Sequence, residues 1–307
     1  MRTLIVGAGA VGGYYGAKLA RAGHDVVFTA RGRNLEAIRD RGLRLESFED
    51  PIAVSPVRAL ETPRGESPFE LILICVKAKD TEAALEDLRG AVSASTLVLS
   101  LQNGVENEER IERSLGIEPM VRGLAYVGVE LVEPGIVRHS SGGTVVIGEP
   151  DDRPSSRLRG LEVLLRQASI EVVVPESISR AKWQKLAWNA SFNIICALTR
   201  VTIGAALADS KGRRLVELAM REVEAVAEAQ GIAFDPDHIP RMLQYAEQIG
   251  FVRPSTLQDR EKRKPLEHEA LTGAVVRFGE RYGVPTPVNQ TLDGLARLVS
   301  SEFEGKS

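Results

Sequence analysis

Cysteine is nearly absent from this chain: Cys75 and Cys196 are the only two in 307 residues, and both sit in apolar stretches. Two such thiols read as small buried residues and build no disulfide framework. Together with four scattered histidines they give no metal-ligand spacing, so no metal is expected. Neither sign of charge is in excess. There are 39 Lys and Arg against 42 Asp and Glu, a net charge of -3. That balance offers no electrostatic attraction to nucleic acid or to an anionic membrane. The dense basic stretch Arg260 to Lys264 has acidic residues in and around it, and reads as a solvated helix face. No apolar run reaches the roughly 18 residues of a membrane span. One Arg precedes a strand and a glycine loop at the N-terminus, which is not the pattern of a signal peptide. A cytoplasmic protein without nucleic-acid or membrane partners is expected.

What the chain does have is ordinary globular composition, 43% hydrophobic and 26% charged. At roughly 100–200 residues per domain, 307 residues predict two domains. Up to about residue 115, short apolar strands alternate with helices. RTLIV (2–6), a helix over 11–22, DVVFTA (25–30), a helix over 34–41, FELILICVK (69–77), a helix over 80–89, STLVLSLQN (95–103) and a helix over 106–115 follow in order. Continuous apolar strands between helices predict a doubly wound parallel sheet. LRLES and PIAVSPV are further short strands, and MVRGLAYVGVEL, GIVRHSS and GTVVIGE are strand-like, with turns at Pro134-Gly135 and Gly142-Gly143. A helix over 154–167 and a strand over 170–174 complete this half. From 176 the pattern is helical, with helices over 178–198, 203–208, 211–230, 237–247, 266–282 and 288–303. The expected fold is an α/β Rossmann-type domain over 1–175 and an all-α domain over 176–307. The apolar helices after residue 203 suit either a homodimer interface or closure of their own core.

Gly7, Gly9 and Gly12 form a G-x-G-x-x-G that follows a strand and opens a helix. In that context the first glycine permits the tight turn, the second lets a pyrophosphate approach the backbone, and the third lets helix and strand pack closely. The helix N-terminus offers N–H groups and a partial positive charge to the phosphates. Residues Gly7, Ala8, Gly9, Ala10, Val11 and Gly12 are therefore the expected dinucleotide-binding stretch. NAD-preferring sites place Asp or Glu at the end of the second strand. Here Arg31 stands there, 19 residues after Gly12, with Arg33 close by. A guanidinium suits a 2′-phosphate that a carboxylate would repel, so the expected cofactor is NADP(H).

Lys185, Asn189 and Asn193 are spaced i, i+4, i+8 in RAKWQKLAWNASFNIICALT (180–199). Across that spacing an α-helix drifts only about 80°, so the three share one face. The residues between them are mostly apolar, and buried amides and ammoniums need partners. The stripe is either a hydrogen-bonded network inside a helical core or the wall of a polar ligand site. Glu267 is one candidate partner for Lys185.

GAGAVGG at 7–13, TARGRN after the second strand, VKAKD at 76–80, SLQNGVEN at 100–107, KWQKLAWNASFN at 182–193, STLQD at 255–259 and Glu267 occur in this order along the chain. This series resembles the ketopantoate reductase (2-dehydropantoate 2-reductase) family. The resemblance implies an N-terminal Rossmann domain and a helical C-terminal domain. It implies NADPH-dependent reduction of 2-dehydropantoate to (R)-pantoate, a step toward pantothenate and coenzyme A. It also implies roles. Lys185 matches the catalytic lysine that gives a proton to the developing alkoxide. Asn189, Asn193 and Ser255 match substrate-binding positions, and Asn103 one that touches both cofactor and substrate. Lys77 and Glu267 match positions near the nicotinamide ribose and the catalytic centre. Hydride addition to a 2-keto acid builds charge on the carbonyl oxygen, which an ammonium both stabilises and protonates. Partial desolvation would lower the lysine pKa, and a neighbouring carboxylate would oppose that shift.

Two stretches depart from the family pattern. A Pro-Asn-Gly turn is replaced by Thr202-Ile203-Gly204, and Glu-x-Asp by Glu267-His268-Glu269. His268 reads as a helix surface residue rather than a proton carrier. The departures bear on the substrate, so a reductase of another 2-keto acid is the alternative enzyme, and a non-catalytic NADP(H) sensor the alternative of another class.

Overall fold

The computed structural model describes residues 1–118 and 120–303. The chain divides into two compact units: Met1–Gln102 with Asn107–Ile178, and Asn103–Glu106 with the chain from Ser179 onward.

The first unit begins with β1 (Arg2–Val6), α1 (Ala10–Arg21), β2 (Asp25–Thr29), α2 (Gly32–Arg41), β3 (Leu43–Ser47), β4 (Ile52–Val54) and β5 (Arg58–Leu60). It continues with β6 (Leu71–Ile74), α3 (Thr81–Leu88), β7 (Leu97–Ser100), α4 (Asn107–Leu115), β8 (Arg122–Glu133), β9 (Ile136–Gly148), α5 (Ser156–Gln167) and β10 (Val172–Val173). One sheet is wholly parallel, in the order β5-β2-β1-β6-β7. Successive residues of β1 point to opposite faces. Ile5 packs with Tyr15, Leu19 and Phe28 on one side, while Leu4 and Val6 join Ile72, Leu85, Leu88 and Ile111 on the other. Both faces are thus covered, as a parallel sheet requires.

A second sheet runs β10-β9-β3-β4, with β8 antiparallel to β9. Gly142-Gly143, a turn signal in the sequence, does not end a strand. GIVRHSS and GTVVIGE are one strand, β9, and the two glycines form an irregularity where the register with β8 shifts after Tyr126. Gly142 has φ +69°, and a side chain there would press on the Tyr126 carbonyl, so the bulge is where glycine is needed. β5, not expected from the sequence, is one edge strand of the parallel sheet.

The second unit is helical: α6 (Ile178–Trp188, whose first residue belongs to the other unit), a π turn (Asn189–Asn193), α7 (Ile194–Thr199), α8 (Ile203–Ala208), α9 (Ser210–Glu228), α10 (His238–Gln248), α11 (Ser255–Glu261), α12 (Thr272–Tyr282) and α13 (Pro287–Ser301). α9 buries Val216, Ala219, Met220, Val223, Val226 and Ala227, a stripe at helical spacing. Its Glu222 accepts the backbone N–H groups of Val288 and Asn289, each at 2.8 Å, and so caps α13. Val105 packs against this helical core, which explains why Asn103–Glu106 belong to the second unit. The helix expected over 266–282 starts only at Thr272, because Leu271 leaves helical geometry and a 3-10 turn fills His268–Ala270. Among the described residues no helix is long and apolar enough to cross a membrane.

Candidate active site

In the first unit, the glycine loop leaves β1 at Gly7, which has φ +97°. A side chain there would also come within 2.8 Å of Val76 Cγ1. Gly12 faces the other constraint: a Cβ would overlap the Gly7 carbonyl and approach Ile5 at 2.9 Å and Cys75 at 3.1 Å. Gly9 is different, since a Cβ on it would meet nothing within 4 Å. The three glycines thus divide into turn, open face and close packing. The loop is held by Thr29, whose Oγ1 accepts from Gly7 N at 2.9 Å and whose carbonyl accepts from Ala8 N at 2.7 Å. Asn34 completes the hold. Its Nδ2 donates to the Ala8 carbonyl at 2.7 Å and its Oδ1 accepts from Gly135 N at 2.8 Å.

Ala10 and Val11 open α1, and no side chain caps that helix at Gly9. Its first N–H groups therefore keep the capacity to hold an anion. Arg31, exposed, precedes α2 at the end of β2. Lys77, exposed, follows β6 and leads into a short 3-10 turn. Gln102 ties the ends of β6 and β7 together, donating to Val76 O at 2.9 Å and Thr81 Oγ1 at 2.7 Å and accepting from Ser100 Oγ at 3.0 Å. The loop, Arg31 and Lys77 all follow the carboxyl ends of parallel strands, where open α/β sheets bind ligands. An uncapped helix start, an open Gly9 face and an exposed guanidinium fit a phosphorylated dinucleotide.

The second unit brings together residues far apart in sequence. Asn193 Nδ2 donates to Asn189 Oδ1 at 3.2 Å, Asn189 Nδ2 to Asn103 Oδ1 at 3.4 Å, and Asn103 Nδ2 to Glu267 Oε2 at 3.3 Å. An ionised carboxylate only accepts, so Glu267 fixes which way each amide points. Asn189, Asn193 and Glu267 are buried, Glu267 at 9% exposure. Lys185, half-buried, lies one helical turn before Asn189. Burial lowers its pKa from 10.5 to about 8, Lys182 adds to the lowering, and Glu267 opposes it. The polar stripe is thus both a hydrogen-bonded network and a setting for a tuned ammonium. Ser255 opens α11, which packs against α7 and the π turn.

The regular helix expected over 178–198 is not continuous. It widens into the π turn at Asn189–Asn193, the span that carries both asparagines. Ser191, fully buried, donates its hydroxyl to the carbonyls of Ala187 at 2.6 Å and Trp188 at 3.2 Å. A hydroxyl bonded back into the carbonyl ladder disturbs regular helix geometry, and here it sits inside the widened turn. His268 is not a surface residue either. It is 6% exposed, with Nδ1 2.8 Å from Asp293 Oδ1. Thr29, Asn34, Lys182 and Ser191 lie inside stretches that the sequence singles out, and His268 beside Glu267, yet only their contacts and charges give them roles; Asp293 lies in no such stretch. Among the described residues no cluster of His, Cys, Asp and Glu is placed to hold a metal.

Known proteins are similar to this chain over nearly its whole length. The family described as "Ketopantoate reductase PanE/ApbA" matches residues 3–152, and its C-terminal counterpart matches residues 177–300. The 2-dehydropantoate 2-reductase of Mesorhizobium japonicum is 34% identical over 97% of both chains, and that of Archaeoglobus fulgidus is 33% identical over 98% of both. A PanE/ApbA family ketopantoate reductase from Ralstonia eutropha superposes with a TM-score of 0.91 at 36% identity, covering 99% of this chain and 100% of that one. Profile, sequence and structure agree from the glycine loop to the last helices: the chain belongs to the ketopantoate reductase family.

Proposed function

We propose that this protein reduces 2-dehydropantoate to (R)-pantoate, taking its hydride from NADPH. The observation that carries the chemistry is Lys185, an ammonium with its pKa lowered to about 8 beside the Asn103–Asn189–Asn193–Glu267 chain. The bound dinucleotide supplies the hydride to the keto carbon. Lys185 hydrogen-bonds the carbonyl oxygen, stabilises the charge that builds there, and donates the proton that completes the hydroxyl. Asn189, Asn193 and Ser255 orient the substrate's carboxylate and hydroxyl, with the amides already turned by Glu267. Asn103 contacts both substrate and cofactor. Gly7, Ala8, Gly9, Ala10, Val11 and Gly12 hold the pyrophosphate, Lys77 the nicotinamide side, and Arg31 the 2′-phosphate. The balance is one hydride and one proton added across C=O, giving a 2-hydroxy acid and NADP⁺.

The deciding experiment follows NADPH oxidation with 2-dehydropantoate and with a panel of branched and aromatic 2-keto acids. The expected result is the highest kcat/KM on 2-dehydropantoate. A much higher value on another keto acid assigns a different substrate, and cofactor binding without turnover on any of them points to a sensor.

A further inference from the structure

Glu267 lies between two residues that are both tied to one face of α13. On one side, Leu266 N donates to Ser300 Oγ at 2.9 Å. On the other, His268 Nδ1 is 2.8 Å from Asp293 Oδ1. Asp293 and Ser300 are seven positions apart, about two helical turns, so they face the same way. Thr272 tightens the second tie, donating to Asp293 Oδ1 at 3.0 Å, with its hydroxyl also 3.2 Å from the His268 carbonyl. His268 and Ser300 are buried at 6% and 2% exposure. The glutamate is therefore the middle of a short span fixed at both ends. Its carboxylate receives Asn103 at 3.3 Å, and its charge reaches Lys185.

We propose that His268 and Asp293 are a positioning pair that holds the Glu267 carboxylate against Asn103, where its charge acts on Lys185. The role of Lys185 rests on the reductase reading; the positioning of Glu267 does not. The charged group whose field is coupled to Asp293 is Arg277 on α12, whose guanidinium also binds Glu106 and the carbonyl of Glu269 on the same turn as His268. Those acting on Lys185 are Lys182, which lowers its pKa, and Glu267, which raises it. If the span loosens, the raising influence weakens while burial and Lys182 remain. Lys185 then titrates at a lower pH. A pair that only filled the core would alter stability and leave that titration where it was.

The test is competitive acetylation of Lys185 with acetic anhydride across pH, read by mass spectrometry on the full chain without substrate. In His268→Ala the midpoint is expected to fall by about half a unit or more, as the carboxylate moves away. His268→Asn keeps a donor for Asp293, and should restore most of the wild-type midpoint. The alkaline limb of kcat for keto-acid reduction should move with the midpoint, with NADPH affinity unchanged. A folded His268→Ala protein with the wild-type midpoint overturns the proposal. If that variant does not fold, Asp293→Ala and Ser300→Ala carry the same test, and an unmoved midpoint in both overturns it. Because acetylation reads Lys185 without turnover, wild-type protein inactive on 2-dehydropantoate would sink the reductase reading while this result still stood.

Discussion

Asn103 donates its side-chain amide to Glu267 at 3.3 Å across 164 positions of sequence. That contact joins the Gln-Asn-Gly segment to the turn before α12, and it gives direction to the hydrogen-bond chain that continues through Asn189 to Asn193. The polar character of the site is thus set by one carboxylate rather than by four independent side chains.

The lowered pKa of Lys185 has a signed consequence. A proton donor works while protonated, so reduction should hold up below about pH 8 and decline as pH rises through that value. Oxidation of the hydroxy acid needs the neutral amine and should rise over the same range. Initial-rate pH profiles in both directions check this, and parallel profiles would contradict it.

Cofactor choice should reside in Arg31. Removing a charged hydrogen-bonding partner typically costs about 1.5–3 kcal/mol, so Arg31→Ala should weaken NADPH by roughly 10- to 150-fold. NADH, which has no 2′-phosphate, should change little. Titration of both dinucleotides by fluorescence separates the two effects, and equal losses would remove Arg31 from the 2′-phosphate.

Gly9 and Gly12 should fail in different ways. A Cβ at Gly9 meets no protein atom within 4 Å, whereas one at Gly12 overlaps the Gly7 carbonyl. Gly9→Ala should keep the melting temperature and lose dinucleotide affinity. Gly12→Ala should lose stability by about 1–3 kcal/mol, as overpacking generally does. Thermal denaturation beside dinucleotide titration tests the pair.

Ser191 should matter to substrate rather than to cofactor. Ser191→Ala removes the hydroxyl that engages the Ala187 and Trp188 carbonyls. A buried hydrogen bond of this kind is worth about 1 kcal/mol, and the wide turn carrying Asn189 and Asn193 should tighten. The expected outcome is a raised KM for the keto acid with unchanged NADPH affinity. Steady-state kinetics with each substrate varied in turn provides the check.

Much of this was legible in the sequence because it is encoded locally. The glycine spacing, Arg31 after β2, the apolar strands β6 and β7, and the period of Lys185, Asn189 and Asn193 each lie within a few turns of chain. What escaped depends on contacts that residue type and spacing do not name. His268 passes for a surface residue until Asp293, 25 positions on, is seen at its Nδ1. The π turn coincides with Ser191 sending its hydroxyl back to the Ala187 and Trp188 carbonyls, a choice of partner that residue type alone does not record. Gly142-Gly143 has the composition of a turn, and only its pairing with β8 makes it a bulge. Asn103–Glu106 follow a strand of the parallel sheet, yet join the helical unit through Val105.

The most direct measurement is single-turnover NADPH oxidation with 2-dehydropantoate, wild type against Lys185→Ala. General-acid catalysis contributes about 10²- to 10⁴-fold, and loss of Lys185 should slow the chemical step by that order with NADPH affinity preserved. A variant that turns over near the wild-type rate would contradict the assignment of Lys185 as the proton donor.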